Sequence, residues 1–312
     1  MKYLWILFIA IAIIALLIFL TTYICYYIAF YAPRKKKKDP DEYPIPVGEI
    51  YEPFRDQMIA WIKETRALSG EEVSIQSFDG LTLKGKYYEY AKGAPIELMM
   101  HGYRGEAERD LGGGVQRCFA LKRNALIVDQ RACGASEGHQ ITFGIKERRD
   151  CLDWVNFMIK HFGPDVRIIL TGISMGGSTV LMAAGEELPK NVIGVLSDCG
   201  FTSAKEIMLK VIRQMHLPAK PLYPFVKLAA KWFCKFDLEE TSAIEAVQKC
   251  KVPAIFFHGE ADDFVPCDMS RANYEACAST KKLVTIKGAG HGLSYIVDPE
   301  TYLKELGDFL PS

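Results

Sequence analysis

The sequence has no excess of charge of either sign. Its 38 basic residues balance 38 acidic residues, so the formal net charge is zero. Proteins that bind nucleic acid usually carry a basic patch and a positive balance, and this composition gives no such signal. We therefore expect no nucleic-acid partner.

Paired cysteines are lacking as well. The chain has nine cysteines, an odd number, and no two of them stand in a C-x-x-C or metal-type spacing. We interpret them as free thiols, which favours a reducing compartment.

Charged residues are absent from Tyr3 to Ala32, a run of 30 mostly apolar residues. A bilayer core needs about 20 apolar residues of helix, so this run is long enough to span one with some tilt. A cleaved signal peptide is the alternative, but its apolar region is normally about 7–15 residues long and ends at a small-residue cleavage site. We predict an uncleaved transmembrane anchor over residues 1–33.

A basic run, Arg34 to Lys38, follows the apolar stretch, whereas only Lys2 and the terminal amine precede it. Basic flanks stay on the cytoplasmic side, so the pattern predicts a single-pass protein of the cell membrane with its following domain in the cytoplasm. Residues 34–70 are predicted to be a basic, proline-rich linker that ends in an amphipathic helix over Phe54–Leu68. That helix can lie against the domain or against the membrane surface.

Through residues 71–312, short apolar runs alternate with helical patterns. The predicted strands are Val73–Phe78, Leu81–Tyr88, Ile96–Met100, Ala125–Asp129, Val166–Thr171, Val192–Ser197, Ala254–His258 and Leu283–Ile286. The predicted helices lie around Gly114–Leu121, over Glu147–Phe162, from Ser178 onward and over Tyr302–Leu310. This alternation is typical of an α/β fold with a mostly parallel eight-stranded sheet and helices on both faces. Catalytic residues are then expected beyond the carboxyl ends of the strands.

The segment Gly172–Gly177 follows the fifth strand and precedes a helical pattern. A G-x-S-x-G sequence in this context is typical of a nucleophile elbow, in which the glycines let strand and helix approach closely. We predict Ser174 as the nucleophile and the Met175 N–H as one oxyanion donor. The second donor is predicted to be the Tyr103 N–H, in the loop after the third strand. The alternative is a glycine-rich turn whose serine has no chemical role.

A serine hydroxyl is a weak nucleophile, so it needs a base and a third group that orients the base. His291, in a glycine-rich loop after the last strand, is predicted as the base, because it follows the nucleophile and the acid in the order Ser, Asp, His. Asp262 is predicted as the acid, with Asp263 as its solvent-facing neighbour. Asp198, at the end of the sixth strand, is the alternative acid.

The connection between the sixth and seventh strands exceeds an ordinary one by about fifty residues. Residues 201–240 contain two helix-like stretches rich in apolar and aromatic side chains. We predict a helical lid over the serine that lines an apolar acyl or alcohol pocket. The alternative is that these side chains only fasten the insertion to the core.

Several motifs occur in a specific order along the chain. They are His101-Gly102-Tyr103, residues 129–138 (DQRACGASEG), the Ser174 elbow, the Asp262 motif and Gly290-His291-Gly292. Together they resemble the α/β-hydrolase superfamily, and the chain is most similar to its membrane-anchored bacterial members in the Bem46/prolyl-oligopeptidase-like and cinnamoyl-esterase groups. The resemblance implies a carboxylic-ester hydrolase that works through an acyl-enzyme, without a metal ion or an organic cofactor.

The predicted function is that of a serine hydrolase with a Ser-His-Asp triad, acting on lipophilic esters of short or medium acyl length. A peptidase or amidase of the prolyl-oligopeptidase type, a thioesterase and an acyltransferase need the same residues. The alternative from a different class is a non-catalytic member that binds a small apolar ligand. The sequence identifies no protein partner.

Overall fold

A single eight-stranded sheet, in the order β1-β2-β4-β3-β5-β6-β7-β8, organises the protein. The computed structural model describes residues 2–33 and 42–310, so the predicted basic run and the first part of the predicted linker lie outside the described residues. The strands are β1 (Glu71–Gln76), β2 (Thr82–Tyr88), β3 (Ile96–Met100), β4 (Asn124–Asp129), β5 (Ile168–Ile173), β6 (Val192–Asp198), β7 (Ala254–Gly259) and β8 (Lys281–Ile286).

Helices connect the strands and cover the sheet. They are α1 (Lys2–Ala29), α2 (Arg55–Ala67), α3 (Ala107–Ala120), α4 (Glu147–Phe162), α5 (Met175–Ala184), α6 (Ala204–Gln214), α7 (Ala219–Ala229), α8 (Ala243–Ala246), α9 (Cys267–Ala276), α10 (Ser294–Val297) and α11 (Pro299–Phe309). Short 3₁₀ helices cover Glu49–Phe54 and Val247–Lys249, and a π-helical turn covers Ala230–Cys234.

The strand β3 lies at the point where the strand order reverses. It pairs in parallel with β4 on one side and with β5 on the other, and only the β1–β2 and β2–β4 pairs are antiparallel. The predicted α/β fold with a mostly parallel sheet is confirmed. In such sheets ligands bind outside the carboxyl ends of the strands at the reversal point, so β3 and β5 define where a site is expected.

Helices on both faces explain why the central strands are mostly apolar, with Glu97 of β3 as an exception. Successive residues of a strand point to opposite faces. Phe256 and Leu170 belong to one buried hydrophobic cluster. Their neighbours Phe257 and Ile169 belong to a second cluster on the opposite face of the sheet. Because parallel strands are covered on both sides, all five residues of β3 are buried.

The helix α3 begins at Ala107, well before the predicted start at about residue 114. The glycines at 112–114 argue against a helix in the sequence, since each glycine inside a helix destabilises it by about 1 kcal/mol relative to alanine. The missing side chains allow another helix to pack closely on α3. A Cβ added to Gly113 would lie 2.4 Å from Cε3 of Trp61 in α2. The amphipathic helix α2 therefore packs against the domain.

Beneath the reversal point lies a buried ion cluster centred on Glu97 of β3. Arg117 and Arg123 donate to its two carboxylate oxygens at 2.5 and 2.6 Å. Burial opposes ionisation of this carboxyl, but the two guanidinium groups outweigh it and hold the pKa of Glu97 at about 2. Because this folded-state pKa is depressed, the stabilisation is complete above the unfolded pKa of about 4.3 and is lost as the pH falls towards 2.

Among the described residues, one helix is long and apolar enough to cross a membrane. It covers Tyr3–Ala29, its most apolar 18-residue window has a mean hydropathy of 3.1, and none of that window is buried. Helices with these properties include membrane anchors and signal sequences.

Candidate active site

A sharp turn at Ser174, the predicted nucleophile elbow, joins β5 to α5. Ser174 has φ of 55° and ψ of −120°, and its N–H donates to the backbone oxygen of Asp198 at 2.8 Å. A Cβ on Gly172 would lie 2.1 Å from the backbone oxygen of Gly176, and one on Gly176 would lie 2.0 Å from that of Met100. Any residue other than glycine at these two positions would displace the backbone, which explains the spacing of the motif.

The side chains of Ser174, His291 and Asp262 form one hydrogen-bonded row. His291 Nε2 lies 2.9 Å from Ser174 Oγ, and His291 Nδ1 lies 2.7 Å from Asp262 Oδ2. The structure thus brings together the predicted nucleophile, base and acid from three separate loops. Ser174 and Asp262 are buried and the His291 side chain is 12% exposed, and Ser174 and His291 both line the adjoining cavity.

The carboxylate of Asp262 is held ionised by its surroundings. Its Oδ1 accepts the N–H groups of Phe264 and Val265 at 2.9 and 2.8 Å, and its Oδ2 lies 3.2 Å from His258 Nε2. Burial would raise the pKa of Asp262, but the hydrogen bonds from His258 and His291 outweigh it and hold that pKa well below its usual range. A charged carboxylate therefore faces the imidazole.

The alternative acid, Asp198, does not face His291. Its carboxylate accepts the hydroxyl groups of Ser294 at 3.0 Å and Tyr302 at 3.1 Å, and burial raises its pKa. Asp263, the predicted solvent-facing neighbour of Asp262, is exposed. The geometry therefore selects Asp262 among the three carboxylates.

The loop after β3 lies close to Ser174. A Cβ on Gly102 would be 3.9 Å from Ser174 Oγ, and the Gly102 N–H is held by Asp110 Oδ2 at 3.1 Å. Within the described part of the chain, the N–H groups of Tyr103 and Met175 have no hydrogen-bond acceptor. Two unoccupied backbone donors beside a serine are the arrangement that an oxyanion needs.

Comparison with known protein families agrees with this geometry. Residues 142–310, more than half of the 312-residue chain, match the model of the prolyl oligopeptidase family. The chain belongs to the prolyl oligopeptidase family. It is accordingly a member of the α/β-hydrolase superfamily, as the order of its motifs predicted.

Individual relatives of this family member are distant. YqkD of Bacillus subtilis is 28% identical over 188 residues, which are 60% of this chain and 62% of that protein. The alignment thus spans less than two thirds of YqkD. Protein bem46 of Schizosaccharomyces pombe is 24% identical over 218 residues, which are 68% of this chain and 67% of that protein. The solved structure of an esterase from Pyrococcus furiosus, at 22% identity, superimposes with a TM-score of 0.65 over 89% of this chain and 98% of that one, a likeness that shows the fold.

A cavity of about 640 Å³ opens beside Ser174 and His291. Its apolar lining consists of Pro46, Val47, Ile50, Tyr51, Met58, Trp61, Ile62, Met99, Tyr103, Leu111, Ile173, Leu196, Phe264, Tyr295 and Ile296. Charged side chains that also border it are Glu49, Arg109, Asp110, Arg117, Asp198 and Asp263. The volume lies in the range of about 300–1,000 Å³ that small-molecule sites occupy.

The outer wall of this cavity comes from residues 46–62, which sequence analysis assigned to a linker and an amphipathic helix. Tyr51 donates its hydroxyl to the backbone oxygen of His291 at 3.1 Å, and the Trp61 ring stacks on Tyr295 with centroids 5.5 Å apart. These contacts join positions far apart in the chain, so no local pattern indicated them. The run of glycines at 112–114 was the one sequence feature that could have indicated close packing of another element, here α2, on α3.

The predicted lid does not line this cavity. None of the lining residues comes from 201–240, so the prediction that this insertion forms the pocket is wrong for this cavity. Its side chains Met208, Tyr223 and Phe236 are buried in the main core, as the alternative predicted. The insertion contacts the edge of the site through Gln214, which donates to the backbone oxygen of Asp263 at 3.2 Å. A role as a moving lid stays a prediction.

One group of described residues has metal-ligating atoms close together. Atoms of Cys199, Asp262 and His291 lie within 4.8 Å of one another. Two of these side chains already bond to each other, and burial raises the pKa of the Cys199 thiol well above its usual value. Since a thiolate is the form that binds metal, this donor set fits a metal ion poorly.

Proposed function

We propose that the protein is a serine hydrolase that cleaves carboxylic esters through an acyl-enzyme. The observation that carries the proposal is the row of Ser174, His291 and Asp262, with bonding distances of 2.9 and 2.7 Å. The unoccupied N–H groups of Tyr103 and Met175 beside the serine support it. We assign the three side chains as nucleophile, base and acid, and the two N–H groups as the oxyanion hole.

In this mechanism His291 Nε2 takes the proton of Ser174 Oγ as the oxygen attacks the ester carbonyl. Asp262 accepts the Nδ1–H, which fixes the tautomer and stabilises the imidazolium that forms. The Tyr103 and Met175 N–H groups bind the oxyanion of the tetrahedral intermediate. His291 then protonates the leaving alcohol, and a water molecule activated by the same imidazole hydrolyses the acyl-enzyme.

The cavity supports the proposed substrate class. Its lining is mostly apolar, and its volume suits an acyl or alcohol group of short to medium length. The test is a chain-length series of p-nitrophenyl esters with the full-length protein in detergent, together with a prolyl p-nitroanilide. We expect turnover of the esters with a preferred chain length. Turnover of the anilide alone would favour the peptidase alternative, and tight binding of the esters without turnover would favour a non-catalytic member.

Removing the Trp61 side chain should change which esters are preferred. Trp61 forms part of the cavity wall and packs on Tyr295 and Gly113, so Trp61→Ala lengthens the apolar space. Each additional methylene accommodated in an apolar pocket is worth about 1–3 kcal/mol. We expect the kcat/KM ratio of long to short p-nitrophenyl esters to rise about tenfold. Trp232→Ala, on an exposed tryptophan outside the cavity, is the matched control, and an equal shift in both variants would contradict the assignment.

We also propose that α1 is a membrane anchor and that the domain lies on the cytoplasmic face, because the basic run follows the helix. In a bacterial host, the full-length chain should stay with the membrane fraction in alkaline carbonate. Protease should cleave its domain in inverted vesicles but not in intact spheroplasts. A shortened, soluble product whose N-terminus begins after Ala32 would instead identify a cleaved signal sequence.

A further inference from the structure

The exposure of α1 divides the helix into two parts. All 18 residues from Tyr3 to Leu20 are exposed, and they give about 27 Å of helix, close to the thickness of a bilayer core. From Thr21 onward buried and half-buried residues recur, and Phe30 is completely buried. We call residues 21–32 the docked segment, because it packs on the catalytic domain.

Aromatic rings hold the docked segment against the domain. The Phe233 ring lies 5.7 Å from that of Tyr23 and 5.0 Å from that of Tyr26. Phe30 packs edge-on against Phe143 of the core, with centroids 5.9 Å apart. The end of α1 is therefore part of the folded domain.

Backbone pairing continues this attachment past the end of the helix. The Ala32 N–H donates to the oxygen of His139, and the Ile141 N–H donates to the oxygen of Phe30, both at 2.9 Å. These two bonds hold the end of the docked segment against the loop that contains His139 and Ile141.

The loop that carries the proposed oxyanion donor binds the carboxyl end of α1. The Tyr103 hydroxyl donates to the backbone oxygen of Ala29 at 2.8 Å. The Arg104 guanidinium donates to the backbone oxygens of Ile28 at 2.9 Å and Tyr31 at 2.8 Å. The last carbonyl groups of a helix have no partner within the helix, so these two side chains supply the missing donors.

The same loop has a backbone conformation that needs external support. Arg104 has φ of 52°, a left-handed conformation that costs a residue other than glycine about 1–3 kcal/mol and persists only where surrounding contacts hold it. The Tyr103 ring stacks on Phe143 with centroids 5.0 Å apart, and burial raises the pKa of Tyr103 to about 12, so its hydroxyl keeps the proton that it donates. The contacts with α1 are thus part of what keeps the loop in place.

We infer that the carboxyl end of α1 is a structural part of the active site, and that Tyr103 and Arg104 are positioning residues that couple it to the oxyanion hole. The inference rests on the proposed function, because it assigns the Tyr103 N–H to the oxyanion. Tyr103 lines the cavity, and its hydroxyl bonds to α1, so one residue contacts both. Freeing the loop from α1 lets the Tyr103 N–H move from its bonding position.

The test uses the full-length protein in detergent with the variants Tyr103→Phe, Arg104→Ala and the two combined. Tyr103→Phe keeps the ring that stacks on Phe143 and removes only the bond to α1. We expect the double variant to lower kcat for a p-nitrophenyl ester about tenfold with KM little changed, since a misplaced donor weakens transition-state binding. Affinity for an alkylboronic acid, whose serine adduct places an oxygen in the oxyanion position, should fall by a similar factor. Arg104→Lys, which retains a donor, should restore part of kcat relative to Arg104→Ala.

The matched controls are Tyr90→Phe and Arg271→Ala, on exposed side chains away from the cavity, and both should leave kcat unchanged. A purely structural role of the two residues would lower the melting temperature without a matching loss of boronic-acid affinity, and that result would overturn the inference. An active wild-type chain with an unaffected double variant would also overturn it, while leaving the proposed function intact. A wild-type chain that neither hydrolyses esters nor binds the boronic acid would overturn both.

Discussion

Replacement of Ser174 by alanine is expected to lower kcat for a p-nitrophenyl ester by about 10⁴-fold or more, because removing the nucleophile of such a triad removes covalent catalysis. Labelling by a fluorophosphonate should be lost as well, since the reagent needs the same oxygen. Ser174 Oγ is the hydroxyl that lies 2.9 Å from His291 Nε2. The measurements are initial rates and gel fluorescence of the full-length protein in detergent.

The control for this variant is Ser69→Ala, on an exposed serine outside the cavity. It should keep wild-type rates and labelling. Retained labelling in Ser174→Ala, with an unchanged melting temperature, would show that another residue is the nucleophile. The assignment of the elbow would then be wrong.

Replacement of Asp262 by asparagine is expected to lower kcat about 10³- to 10⁴-fold. The amide nearly matches the carboxylate in shape but presents an N–H₂ group to His291, which disfavours the tautomer that accepts the Ser174 proton. The imidazolium that forms also loses the charge 2.7 Å from its Nδ1. The measurement is kcat at neutral pH, with fluorophosphonate labelling rates as a second readout.

The matched control is Asp268→Asn, whose side chain is 93% exposed, and it should have wild-type activity. Because the folded-state pKa of Asp262 is depressed, its ionised form stabilises the protein above the unfolded pKa of about 3.9, and this contribution is lost as the pH falls below that value. The stability difference between wild type and Asp262→Asn in urea should therefore shrink under acid conditions. Near-normal activity of Asp262→Asn would assign the acid elsewhere, with Asp198 as the first candidate.

The parts of the fold that could be predicted are those with strong local patterns. The bounds of β3 and α4 agree with the prediction, because a short, mostly apolar run and an amphipathic period each encode one kind of structure. The start of α3 could not be predicted, since Gly112, Gly113 and Gly114 give room to Ile62, Trp61 and Met99, residues distant in sequence. Helix propensity gives the opposite indication at those positions.

The residues of the candidate site also fall into those that a local pattern indicates and those that only distant contacts define. The positions of Ser174, His291 and Asp262 follow from motifs that combine a strand end with a turn. Tyr51 could not be found, because its bond to His291 joins residues 240 positions apart. The prediction that the insertion lines the pocket is wrong for a related reason. A high content of aromatic residues indicates that a segment is buried, but it does not show which surface the segment covers.

The pairing of Phe30 and Ala32 with His139 and Ile141 has a consequence for how the enzyme meets its substrate. With α1 in a bilayer, the catalytic domain keeps a set height and orientation relative to the lipid surface and diffuses only within the plane. Encounters then depend on the number of substrate molecules per unit area of membrane. Turnover of an ester that partitions into lipid should accordingly follow its surface density, while its concentration in the surrounding water has little direct effect.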